Sequence, residues 1–204
     1  MNKKSLLMMM LTICLIAVVG VGSTLAYLSA KTDVMTNTFT VGNVTVVQDE
    51  TDITGESETG RTNSGNTYAN ILPGMELTKD PTATVKEGSA KCYVFMKLEG
   101  ADALGDDFAF AFDANNEISP AWNKVTAGTG LDGVYQYEAV VDASNGDVVL
   151  PSLFKTVTYS IDATEFVSDN GINVTIQTCA IQADYMDGKD VVAEAKGLFA
   201  NNNQ

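Results

Sequence analysis

The 204-residue chain contains no histidine. That absence excludes Ser-His-Asp triads, His-based zinc helices and imidazole proton shuttles. Positive charge is scarce too: 12 Lys+Arg stand against 26 Asp+Glu, a formal net charge of −14. A chain this acidic repels nucleic acid phosphates, so nucleic acid is excluded as a partner. Cysteine is limited to 3 residues, of which Cys14 lies in the apolar N-terminal run. Cys92 and Cys179 are open to two states, a disulfide in an oxidising compartment or a pair of buried free thiols. There is 1 Trp, at position 122 in "SPAWNKV", and it reads as packing rather than as a ligand platform. Long apolar runs are missing everywhere except from Leu6 to Val21.

That run follows Lys3 and Lys4 and leads into the small-residue stretch Thr24-Leu25-Ala26. Basic start, apolar centre and small-residue exit are the layout of a secretory signal peptide. The run is short for a membrane span of roughly 20 residues, and Gly20 and Gly22 loosen its end. The expectation is a signal peptide over residues 1–26, cleaved between Ala26 and Tyr27. "LTIC" is a poor lipoprotein site, because Ile13 stands where a small residue belongs. With no second apolar span, the mature product is expected to be released or held non-covalently.

Past residue 37 the apolar period is two, not 3.6, which predicts strands. "DFAFAF" alternates Phe108, Phe110 and Phe112 with Ala109 and Ala111, and "KTVTYSID" alternates Val157, Tyr159 and Ile161 with Thr and Ser. "GVYQYEAVVD" places Tyr135, Tyr137, Ala139 and Val141 on one face. "KCYVFMKL" is apolar on both faces, which predicts a central strand. "GINVTIQTCAIQADY" changes phase from Ile172, Val174 and Ile176 to Cys179, Ile181 and Ala183, and "FTVGNVTVV" does the same across Gly42-Asn43. Such slips predict β-bulges. With "MELTKDPTATV" and "ISPAWNKVTA" the count is about eight strands, the spacing of an antiparallel β-sandwich. Pro81 places its strand at an edge. Residues 48–70 read as a long mobile loop, and "KDVVAEAKGLF" as the one short helix.

Few residues offer chemistry. "DANNE" puts Asp113, Asn115 and Glu117 at alternate positions, a calcium-binding candidate without the glycine and distal bidentate glutamate of a full loop; a plain turn is the simpler reading. Asp49, Glu50, Asp52, Asp106 and Asp107 read as solvated loop charge. No base accompanies the many Ser and Thr hydroxyls.

The junction "TLAYLSAKTDVMTNTFTVGNVTV" resembles that of exported proteins processed by the SipW-type signal peptidase of Gram-positive bacteria. "NILPGMELTKDPTATVKEGSAKCYVFMKL" and "TIQTCAIQADYM" resemble segments of the TasA/camelysin family. The resemblance implies a jelly-roll β-sandwich over residues 38–204, secretion to the extracellular matrix or cell surface, and assembly into biofilm-matrix fibres, alone or with other matrix proteins. It also implies, through camelysin-type members, a metallo-endopeptidase activity that a chain without histidine is poorly equipped to perform. No cofactor is expected beyond the calcium candidate. A monomeric surface binding module is the remaining alternative.

Cleavage after Ala26 would free residues 27–37 as an arm. Leu28, Ala30, Thr32 and Val34 share one face of it and Ser29, Lys31 and Asp33 the other. An extended arm can add to the open edge of a neighbour's sheet, and head-to-tail donation that does not close propagates as a filament. The resemblance to TasA implies this mode of linkage, with a second copy of the chain as partner.

Overall fold

The computed structural model describes residues 3–14, 43–163, 171–186 and 188–201. The cleavage junction Ala26–Tyr27 and the arm residues Leu28, Ala30, Thr32 and Val34 lie outside them. The chain divides into two units, residues 1–40 and 41–204. In the first, residues 3–14 form a helix, α1, whose side chains are exposed. No helix among the described residues is long and apolar enough to cross a membrane.

The second unit is built from antiparallel strands: β1 (Val46–Thr51), β2 (Arg61–Thr62), β3 (Glu76–Thr78), β4 (Thr82–Val85), β5 (Cys92–Glu99), β6 (Phe108–Ala111), β7 (Trp122–Lys124), β8 (Gly133–Tyr137), β9 (Val148–Val149), β10 (Thr156–Tyr159) and β11 (Thr175–Gln182). A short 3-10 turn follows β5 at Asp102–Leu104, and a helix, α2 (Val191–Asn201), ends the described chain. The strand orders are β2-β1-β4-β9, β3-β10-β6 and β11-β5-β8-β7. All three sheets feed one core, with Val85 and Leu153, Phe110 and Val157, and Val94 and Met96 among its buried members. Burial of such side chains is the main force holding the unit together.

β3 and β4 together face β9 and β10 along one interrupted ladder. Thr84 pairs with Val149 and Thr78 with Thr156, so the register slips by one residue between them. The slip falls where Leu150 N–H donates to Ala83 O and Leu153 N–H to Pro81 O. Two residues, Pro151 and Ser152, thus oppose Thr82 alone, which is a β-bulge. Proline fits a bulge because the missing N–H is not called on. β4 is therefore not an edge strand: it lies between β1 and β9, and Pro81 is tolerated at the bulge instead.

β5 is central, between β11 and β8. Cys92, Val94, Met96 and Leu98 enter the common core, while Phe95 packs on the other face with Val134, Ala195 and Phe199. α2 supplies that second cover. Its start is capped by Asp190, whose Oδ1 accepts N–H bonds from Val192 (2.9 Å) and Ala193 (3.2 Å), the usual role of Asp before a first turn.

The phase change in β11 has the same origin. Its ladder with β5 runs unbroken from Thr175↔Glu99 to Gln182↔Cys92, so there is no bulge. Val174 and Ile176 pack on the common core, and Cys179 and Ile181 pack on the side covered by α2. Gly42, the other proposed slip, lies outside the described residues. Ile161 is 72% exposed, because β10 ends at Tyr159 before the alternation does. Gly100 closes the β5 end: its φ is 86°, and a Cβ there would sit 2.1 Å from Asn173 O.

Candidate functional site

Residues 48–70 are not simply a loop. β1 runs to Thr51, and Arg61 and Thr62 pair back onto Thr51 and Glu50. Charge organises this corner. The Arg61 guanidinium donates to Asp49 Oδ1 (2.6 Å from Nη2) and to Asp80 Oδ2 (2.6 Å from Nη1). Burial pulls the Arg61 pKa down, but the two carboxylates more than reverse it and leave it above the ordinary value. Asp80 also accepts from Thr51 N–H and Oγ1. Asp52, by contrast, is half-buried and holds a local turn through Thr54 and Ser57.

Glu50 departs furthest from its expected role. It is buried, at 6% exposure. Lys79 Nζ donates to Oε2 at 2.9 Å, and Asn66 Nδ2 donates to Oε1 at 2.9 Å. Asn66 Nδ2 also donates to Thr51 O (2.8 Å), and Asn66 Oδ1 accepts from Ile53 N–H (3.2 Å). Nearby, Tyr68 donates its hydroxyl to Thr78 O. Burial, helped by the negative charges of Glu50 and Asp80, pushes the Tyr68 phenol up to about 12. The signal for Glu50 was available in the sequence: Val44, Val46, Gln48 and Glu50 share one parity, and Val44 and Val46 pack on the core.

This corner opens on two adjoining recesses. One, of about 570 Å³, has a floor of Leu77, Phe108, Phe110 and Tyr159 and a rim that includes Asn66 and Asn173. Phe108 and Tyr159 stack with ring centres 4.5 Å apart. The other, of about 420 Å³, is polar, lined by Gln48, Glu50, Lys79 and Thr175 among others. Beside them run two strand edges. Among the described residues, β11 has one neighbouring strand, β5, and Val46–Asp49 of β1 pair only with β4. Gln48 spans the interval: its Nε2 donates to Ile176 O at 3.1 Å, and its Oε1 accepts from Thr178 Oγ1.

The remaining candidates lie elsewhere. Cys92 and Cys179 are both free, and no disulfide joins them. They project from opposite faces of the β5–β11 sheet, Cys92 into the common core and Cys179 beneath α2. Burial raises both thiols, Cys179 to about 12, so neither is a ready nucleophile. Asp113, Asn115 and Glu117 are exposed. Asp113 Oδ1 accepts from the backbone N–H groups of Asn115 (2.8 Å) and Asn116 (2.9 Å), which makes the carboxylate the closure of a turn. These bonds to the turn, with Lys155 nearby, hold its pKa below the ordinary value. Among the described residues, no three His, Cys, Asp or Glu side chains gather as metal ligands. Trp122 is core, its Nε1 donating to Pro151 O at 2.9 Å.

No family model, curated protein or solved structure matches the chain.

Proposed function

We propose that the chain is an exported structural protein of the extracellular matrix or cell surface, TasA-like, with a jelly-roll-like β-sandwich as its folded unit. Copies of it would join by donation of the N-terminal arm into a neighbour's sheet. The observation that carries this reading is the edge of β11. Eight residues long, it has a ladder partner on one side only among the described residues. An extended segment that took the place of the Gln48 bridge to Ile176 O would gain main-chain hydrogen bonds, and the aromatic-floored recess alongside suits alternate apolar side chains such as Leu28, Ala30, Thr32 and Val34. The apolar leader and the small residues before Tyr27 support export and release.

The test compares filament formation by residues 27–204 and 38–204 in electron microscopy. Filaments are expected from the longer form alone. Equal assembly without the arm would sink strand donation, and solitary particles from both at high concentration would favour a monomeric binding module.

A further inference from the structure

Lys79, Glu50 and Asn66 form an arrangement that the assembly reading does not use. A primary amine and a primary amide both donate to one buried carboxylate, Lys79 Nζ to Oε2 and Asn66 Nδ2 to Oε1, each at 2.9 Å. The Lys79 side chain is 12% exposed and that of Glu50 7%, so water competes weakly for these groups. We propose that this is an autocatalytic crosslinking site, at which Lys79 and Asn66 join as a side-chain amide with Glu50 as the proton carrier.

The chemistry needs no other reactant. Glu50 Oε2 takes a proton from the Lys79 ammonium along the existing hydrogen bond. Two neutral groups replace two charges, a change that a desolvated site favours. The freed Nζ lone pair attacks Asn66 Cγ, and the C=O π electrons move onto Oδ1. Ile53 N–H already donates to that oxygen at 3.2 Å and meets the developing negative charge, as an oxyanion-hole donor does. Glu50 then gives its proton to Nδ2 and takes the surplus proton from Nζ. The electrons on Oδ1 re-form the carbonyl, the Cγ–Nδ2 bond breaks, and Nδ2 departs with its electron pair as ammonia. Glu50, left protonated, passes that proton to the ammonia, which leaves as ammonium. Atoms, charge and electrons balance, and nothing is oxidised or reduced.

Orientation at Asn66 supports this assignment. Its oxygen faces an N–H donor, and its nitrogen faces two acceptors, Glu50 and Thr51 O. The amide is therefore fixed with its leaving group on the acid and its carbonyl on the donor. Holding the amine and the amide on one carboxylate contributes part of the effective concentration that an uncatalysed amide exchange lacks. The product would tie the segment after β2 to the end of β3.

Peptide mapping of the full chain by mass spectrometry decides the matter. The expected result is a branched peptide joining Lys79 to Asn66, lighter than the sum of its two parts by one ammonia, in most molecules of folded wild type. The branched peptide is expected to disappear in Glu50→Gln, Asn66→Ala and Lys79→Arg. Circular dichroism identifies which variants fold; any one folded variant serves for the link, and a folded Glu50→Gln serves for the role of Glu50. Two ordinary linear peptides in wild type held folded for days would overturn the crosslink, whatever the variants do. An undiminished link in folded Glu50→Gln would overturn the role of Glu50. Filament formation is not part of either readout, so the outcome is independent of strand donation.

Discussion

β5 and Glu50 are both buried, and they are held by opposite means. In β5, Phe95 and Met96 are 0% exposed and pack into apolar clusters on the sheet's two faces. Hydrophobic burial is non-directional, so such a strand tolerates changes of shape better than loss of volume. At the corner, Glu50, Lys79, Asn66 and Arg61 are held by directional, charge-assisted bonds. These specify one geometry, and removing one member leaves its partners desolvated and unmatched. The first region makes the unit stable; the second holds Lys79 and Asn66 on one buried carboxylate.

The largest effect should come from the apolar region. Phe95→Ala is expected to cost about 3–5 kcal/mol in urea denaturation, since it empties the space between the sheet and α2. A loss below about 1 kcal/mol would mean that α2 is not an effective cover. The corner should follow closely. Glu50→Ala leaves the Lys79 ammonium without its acceptor at 12% side-chain exposure and is expected to cost about 3 kcal/mol. Arg61, whose side chain is 31% exposed, is the control: Arg61→Met should cost about 1 kcal/mol and lose its effect as salt is raised. Equal costs at Glu50 and Arg61 would erase the distinction between a buried and a screened charge.

A further effect is alkaline. Tyr68 and Tyr135 are both pushed up to about 12 from 10.0, chiefly by burial. A raised folded-state pKa means the native chain binds more protons than the unfolded one above the ordinary value. Stability is therefore full below pH 10 and falls as pH rises through about 12. Phenolate absorbance should show these two groups titrating late, and Tyr68→Phe should lessen the loss. Titration of Tyr68 at its ordinary value would show the corner to be wet.

Sequence periodicity conveyed much of the fold. Alternation in "DFAFAF" and "KTVTYSID" became β6 and β10, and two-sided apolarity placed β5 at the centre of its sheet. "KDVVAEAKGLF" became α2 because Asp190 caps it and its apolar spacing matches one face. What the pattern could not convey was which layer covers each face. The phase change in β11 looked like an inserted residue and is instead a change of cover, from the common core to α2. The real bulge, at Pro151–Ser152 opposite Thr82, shows only when two distant segments are laid side by side. The candidate site was less legible still. Asp49, Glu50 and Asp52 look alike in a loop-like composition, yet one is bridged to Arg61, one is buried against Lys79 and Asn66, and one only closes a turn.

By itself the sequence determined the strand-rich class, the placing of β5, the late helix and the lack of imidazole chemistry. All of these follow from residue type and short-range period, which are local properties. Tertiary structure decided that Cys92 and Cys179 lie on opposite faces, that Pro81 sits at a bulge in the sheet interior, and that Glu50 faces an amine and an amide. Burial and partnering of a polar group depend on segments far away in the chain, and no local pattern encodes where those segments will lie.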